Sequence, residues 1–308
     1  MAGRDSAQKH MDKKSNYSLG SLALLSAGIV GAFAGLGAKI ALRELPPFTI
    51  LFTRIIIMLV VLFPFVSRKL SVFKTHWKSL LLLGLFWSGN VAFFIVGIRY
   101  TTVLSSGVLY AGVPLLTLVE SMILLHTRPK RNQIIGISLG LLGMGILFMD
   151  SVKDLSFGLF QGNVLIFIAT LSWSLYLLYS KKLSAKIDPI VLTVSSAVVA
   201  SIIVGLLMVL FEGYLPFLSI GRLHLETQMA LLFLGLGIGV GMIFLYQYGI
   251  KYGSVVMASM MLYIGTVVGG LTGIVFLQES LTLKFIIGSL CILMGVYWVG
   301  ISKQRSES

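Results

Sequence analysis

Apolar runs alternate with short polar breaks along the whole chain, and each run has the length a helix needs to cross a bilayer. Such a helix takes roughly 20 mostly apolar residues at about 1.5 Å of rise each. The runs fall at 19–42, 47–66, 78–99, 102–125, 130–150, 159–181, 189–212, 226–250, 254–278 and 281–302. Pro46-Pro47, Pro129 and Pro189 stand where runs begin, a position at which a missing backbone N–H costs a helix little. Very few residues separate the third run from the fourth, the eighth from the ninth, or the ninth from the tenth, so each of these pairs must fold as a helical hairpin. Residues 1–18 read as a polar tail with no cleavage site after the first run, and 303–308 as a second, short tail. The pattern predicts an all-α membrane protein with ten transmembrane helices.

Composition agrees. The chain is 57% hydrophobic and 11% charged, whereas a soluble domain carries about 25% charged residues. A large soluble core would still need a charged shell, so lipid must replace water around most of the chain. The net charge of +13 would suit a nucleic-acid partner if it formed one face, but the basic residues lie scattered in inter-helix loops. With the N-terminus in the cytoplasm, 17 of the 24 Lys and Arg fall in inner segments and six in outer ones, with Arg54 inside the second span. This asymmetry is the positive-inside pattern, and it predicts that both termini are cytoplasmic.

The chain also repeats itself. Gly97-Ile98-Arg99-Tyr100 matches Gly249-Ile250-Lys251-Tyr252, and at the same spacing Gly136 falls on Gly288 and Gly143 on Gly295. Earlier in each half Gly20 matches Gly162, Lys39 matches Lys181 and Pro47 matches Pro189, the difference in offset being taken up by the outer loop around Phe211 to Leu225. The halves, 19–150 and 159–302, hold five spans each. Five is odd, so the second half crosses in the opposite sense. Inverted repeats of this kind suit alternating-access transport, because two similar bundles can exchange conformations at little cost. A channel or a duplicated bundle that transports nothing is the competing account.

Ionisable groups within spans are costly unless solvated or paired, and so mark function. Arg54 lies in the outer part of span 2 and Glu120 in the inner part of span 4. Arg54 suits recognition of a substrate carboxylate, or else it snorkels to the outer surface. Glu120 suits uptake of a proton as coupling ion, pairing with a cationic substrate group, or a purely structural hydrogen bond. Trp87, Asn90, Tyr110 and Trp173 lie deeper than the interfacial aromatic belt and, with Tyr176, Tyr246 and Tyr263, complete the candidate substrate-binding set; Trp298 fits the belt. The substrate is expected near mid-membrane between spans 1, 3, 4, 6, 8 and 9. Glycines four apart, such as Gly31 and Gly35 or Gly265 and Gly269, allow close helix packing or sliding. The run Gly235, Gly237, Gly239, Gly241 suggests a weak, bendable span 8. The four histidines fall in loops or tails, the lone cysteine is Cys291, and no Gly-rich phosphate loop occurs. No enzyme, cofactor or metal is expected.

The sequence resembles the EamA group of the drug/metabolite transporter superfamily. The resemblance rests on Pro47 to Arg54, on Gly97 to Pro114 across the span 3/4 hairpin, and on Phe276-Leu277-Gln278-Glu279 leading into the glycines of span 10. Thr127 stands where the first half would carry the matching acid, a departure at a helix junction. The resemblance implies a carrier of amino acids or related metabolites in a bacterial inner membrane, with lipid and a small molecule as partners. The alternatives are a carrier of a nucleotide-type metabolite such as S-adenosylmethionine, and a non-transporting scaffold or lipid-handling protein.

Overall fold

A computed structural model describes residues 19–125, 129–153, 157–252 and 255–304, with the side chains of a few of these, 255–264 among them, outside the described set. Apart from short connections the described residues are helical, with no strand among them. The helices are α1 (Leu19–Ala41), α2 (Pro47–Val66), α3 (Leu70–Tyr100), α4 (Val103–Ala111) and α5 (Val113–Leu125). They continue with α6 (Arg131–Lys153), α7 (Phe157–Ser184), α8 (Pro189–Phe211), α9 (Leu225–Tyr252), α10 (Val255–Leu277) and α11 (Leu283–Gln304). Among the described residues six of these helices are long and apolar enough to cross a membrane, and a seventh crossing results if α4 and α5 form one span. Shorter apolar stretches occupy Arg131–Leu147, Gly265–Leu277 and Leu283–Trp298.

Three of the expected spans depart from straight rods. The run 102–125 is bent by 41° between α4 and α5. Pro114 supplies the cause: it has no N–H for the carbonyl one turn back, and its ring crowds that turn. In α9, Phe233–Met242 winds as a π-helix through the four alternate glycines. Glycine stabilises a regular helix poorly, which accounts for the irregular winding there. At the other end of the scale, α3 begins with a short stretch that breaks at His76 (φ −115°, ψ 19°) before the long apolar run starts.

The helices exchange partners across the two halves. α3 packs on α7 and α9 on α1; α3 packs on α8 and α9 on α2; α5 packs on α7 and α10 on α1. α6 packs on α11 along a glycine seam. A Cβ added to Gly143 would lie 2.5 Å from the Gly288 carbonyl oxygen, and one added to Gly295 would lie 2.5 Å from that of Gly136. Only glycine permits backbones this close. Large apolar side chains such as Ile202, Leu210 and Val275 face outward, as a lipid-facing surface requires.

Carboxylates tie distant helices together at their N-terminal ends, where backbone N–H groups have no partner within the helix. Glu212 accepts from the Phe48 and Thr49 amides at the start of α2, at 2.8 and 2.7 Å. Glu279 accepts from the Val103 and Leu104 amides at the start of α4, at 2.7 and 2.9 Å. To aim it there, the chain leaves α10 through Gln278 in a left-handed conformation (φ 54°). Glu44 accepts from the Thr227 hydroxyl at 2.8 Å and the His224 amide at 3.1 Å, near the start of α9. Those contacts, the Thr227 hydroxyl foremost, hold the Glu44 carboxyl below the usual range. Asp188 caps its own helix α8 through the Ile190 amide and pairs with Lys69 at 2.9 Å. Partial burial alone would raise the Asp188 pKa, but Lys69 and the Ile190 amide outweigh it and hold it low. The loop around Phe211 to Leu225 thus does more than absorb extra length: besides Glu212, its Phe217 packs edge-on against Phe52 at 5.4 Å.

Candidate substrate cavity

A cavity of about 140 Å³ opens between the helices, lined by α1, α2, α3, α4, α7, α9 and α10. These are the six spans expected from sequence, with α2 added through Arg54. On one side the lining is small: Gly28, Gly31, Ala34 and Gly35 of α1 with Gly265 and Gly269 of α10. On the other it is aromatic and polar: Trp87, Asn90 and Phe94 of α3, Tyr110 of α4 and Trp173 of α7.

Among the described lining residues Arg54 is the only cation, and it is 94% buried, with 6% of its surface exposed. It forms no ion pair among the described residues, and its Nε has no hydrogen-bond partner there. A guanidinium that snorkels would reach the surface, so the burial of Arg54 argues against that alternative. Trp87 Nε1 and Trp173 Nε1 are likewise buried without a partner.

Asn90 sets the polarity of Tyr110. Its Nδ2 donates to the Ala169 carbonyl at 2.9 Å and to the Tyr110 oxygen at 2.5 Å. A carbonyl can only accept, so the atom facing it must be the amide nitrogen, and its second N–H then goes to the tyrosine. Tyr110 accepts from Asn90 and keeps its own O–H for another acceptor. Its ring is fixed edge-on against Phe94 at 5.9 Å.

Behind Trp173 the protein is filled. Tyr176 stacks on Trp173 at 5.2 Å, and Tyr246 leans on the same indole at 5.2 Å. Both tyrosines are fully buried. Gln247 donates to the Tyr176 oxygen and accepts from the Ser180 hydroxyl at 2.6 Å. Tyr176 and Tyr246 therefore stand behind the cavity wall and do not line it. Tyr263 is on α10, but its side chain is outside the described residues.

Glu120 of α5 is also apart from the cavity lining. Its Oε1 lies 2.5 Å from the Ser174 hydroxyl of α7, and its Oε2 is buried without a partner. Ser174 Oγ is at the same time 2.9 Å from the Leu171 carbonyl. A hydroxyl has one proton and two lone pairs. An ionised Glu120 accepts from Ser174, whereas a protonated Glu120 donates to Ser174 while that hydroxyl turns to Leu171. The geometry accommodates either state.

The sequence missed the wall-forming role of Gly28, Ala34 and Thr266. A small residue makes a cavity by what it lacks, and in sequence that is indistinguishable from close helix packing. Among the described residues no group of three or more His, Cys, Asp or Glu forms a metal-binding cluster.

A helical bundle rich in apolar spans, enclosing a cavity with one buried cation, has the build of a multi-pass membrane protein with an internal polar cavity. The chain belongs to the EamA-like transporter family, whose model matches twice, over residues 18–149 and 160–301, and so to the drug/metabolite transporter superfamily. It is 25% identical over 297 residues to the uncharacterized transporter YcxC of Bacillus subtilis, covering 92% of this chain and 93% of that protein. A second protein of that organism, the uncharacterized transporter YoaV, is 24% identical over 90% of this chain and 94% of its own. An uncharacterized transporter of Archaeoglobus fulgidus is 26% identical over 73% of this chain and 79% of its own length. A solved crystal structure shares the fold with a TM-score of 0.66 at 20% identity, over 94% of this chain and 99% of that one. The protein works in lipid on a small-molecule substrate.

Proposed function

We propose that the protein is a secondary transporter that carries a small metabolite, an amino acid or related compound, across the cytoplasmic membrane by alternating access. In this reading ten spans form two inverted five-helix repeats, residues 19–150 and 159–302, with both termini in the cytoplasm. The pairwise exchange of helix contacts between the halves and the double family match support the repeat. The charge asymmetry supports the orientation. The observation that carries the function is the buried, unpaired Arg54 in a cavity walled by both halves. Leaving a guanidinium there without an anion costs several kcal/mol, a cost that a substrate carboxylate would offset. The cavity volume favours a small cargo over one the size of S-adenosylmethionine, and an internal cavity with a polar wall favours transport over a scaffold.

The test is substrate counterflow in proteoliposomes with Arg54 variants. Arg54→Gln removes the charge, and Arg54→Lys keeps it but loses the planar fork that grips a carboxylate at two points. Exchange should vanish in the first and weaken roughly tenfold or more in the second, with normal membrane insertion in both. If Arg54→Gln exchanges substrate as fast as the parent, Arg54 is no part of the binding site.

A further inference from the structure

We infer that the cavity selects a small organic monoanion, a carboxylate on a body about the size of one ring, and rejects the same skeleton when it bears an ammonium group. The inference rests on the transport reading above and narrows its substrate class from amino acids and related compounds to the related carboxylates that lack an ammonium group. It comes from counting every carboxylate in the chain.

There are eleven Asp and Glu residues. Glu44, Asp188, Glu212 and Glu279 are committed to helix N-termini, as described. Glu226 lies at the surface opposite Arg43 at 3.8 Å, with both side chains mostly exposed. Glu120 faces Ser174 and is absent from the cavity lining. Asp5, Asp12 and Glu307 belong to the terminal tails, and Asp150 and Asp154 to the end of α6 and the connection after it. The segment 255–264 of α10 contains no charged residue in its sequence. Among the described residues no carboxylate lines the cavity to meet a ligand ammonium, while the one charge in that lining is positive.

The buried groups of the wall that lack a partner point the same way. The unpartnered Arg54 Nε, Trp87 Nε1 and Trp173 Nε1 are donors, and Asn90 leaves the Tyr110 O–H free to donate. Aromatic faces do attract ammonium groups, but here a second cation would share a low-dielectric site with Arg54, where like charges repel strongly. A free amino acid satisfies Arg54 with its carboxylate and leaves its ammonium desolvated, with no carboxylate in the described lining to pair it. As for size, a cavity of about 150 Å³ admits benzene, and this one measures about 140 Å³.

Three compounds with one skeleton separate the possibilities: 3-phenylpropionate (anion), phenylalanine (zwitterion) and phenethylamine (cation). Proteoliposomes are preloaded with unlabelled 3-phenylpropionate, and entry of the radiolabelled compound is competed with each of the three. Quenching of tryptophan fluorescence reports binding at Trp87 and Trp173 independently of transport. The anion should compete on the order of 100-fold better than phenylalanine, the scale of penalty for a buried unpaired charge, and phenethylamine should not compete. Arg54→Lys should keep the order of preference at weaker affinity, which guards against a folding defect in Arg54→Gln. Competition by phenylalanine or phenethylamine equal to that of the anion overturns the inference and leaves the transport reading standing. If 3-phenylpropionate neither exchanges nor quenches, the inference also falls. The transport reading falls with it only when proteoliposomes loaded with a metabolite extract show no counterflow of any component.

Discussion

Arg54 and Glu120 are both ionisable residues within apolar helices, yet the structure gives them different surroundings. Arg54 lines the cavity without a counter-charge, which suits a group that meets its anion only when substrate is bound. Glu120 has a partner in Ser174 that fits both of its protonation states, which suits a group that gains and loses a proton during a cycle. If Glu120 couples transport to protons, Glu120→Gln, a mimic of the protonated form, should abolish gradient-driven accumulation while exchange without a gradient persists. Accumulation and exchange can be measured in the same proteoliposomes. Intact accumulation in Glu120→Gln would assign the residue to the α5/α7 contact alone. At this scale the sequence was informative, because a charge or an amide deep in an apolar run is visible without coordinates. What it could not show was the direction of the hydrogen bonds, such as Asn90 turning Tyr110 into an available donor. That depends on the Ala169 carbonyl, 79 residues away.

Most helix boundaries were legible to within a few residues because prolines and polar breaks mark them locally; α3 is the exception, beginning at Leu70 where the apolar run begins only at 78. The 41° bend at Gly112 to Pro114 had a visible cause in Pro114, but the apolar pattern runs through it unbroken and masks it. The carboxylate caps were not legible at all: Glu44, Glu212 and Glu279 reach amides 163 to 180 residues away, and no local pattern encodes such a contact. The glycines divide into two groups. Gly31, Gly35, Gly265 and Gly269 face the cavity, whereas Gly136, Gly143, Gly288 and Gly295 form the α6/α11 seam, remote from it. The seam is therefore a packing element. Gly295→Val should force the two backbones apart and cost about 1–3 kcal/mol, the usual penalty of overpacking. Thermal unfolding in detergent would register this as a lower melting temperature, while the substrate concentration for half-maximal exchange by the remaining folded protein stays unchanged. A shifted half-maximal concentration would mean that the seam moves with the cavity.

The whole molecule departs from its internal symmetry at the cavity. In the register that pairs Gly20 with Gly162 and Lys39 with Lys181, Gly31 corresponds to Trp173 and Ala34 to Tyr176. α1 presents small residues where α7 presents an indole and a phenol, so space opens beside α1 and is filled behind Trp173. Under the proposed orientation, the open space lies toward the outer face and the Trp173, Tyr176 and Tyr246 stack toward the cytoplasm. Alternating access requires that stack to part and the α1 side to close. Ser106 tests this directly, since it lines the cavity and serine to cysteine is a small change. In a Cys291→Ser background, Ser106→Cys is treated with a membrane-impermeant thiol reagent in right-side-out and in inside-out vesicles. The expected result is labelling from either face, slowed on both by saturating substrate. Labelling from one face only, whether or not substrate is present, would contradict alternating access through this cavity.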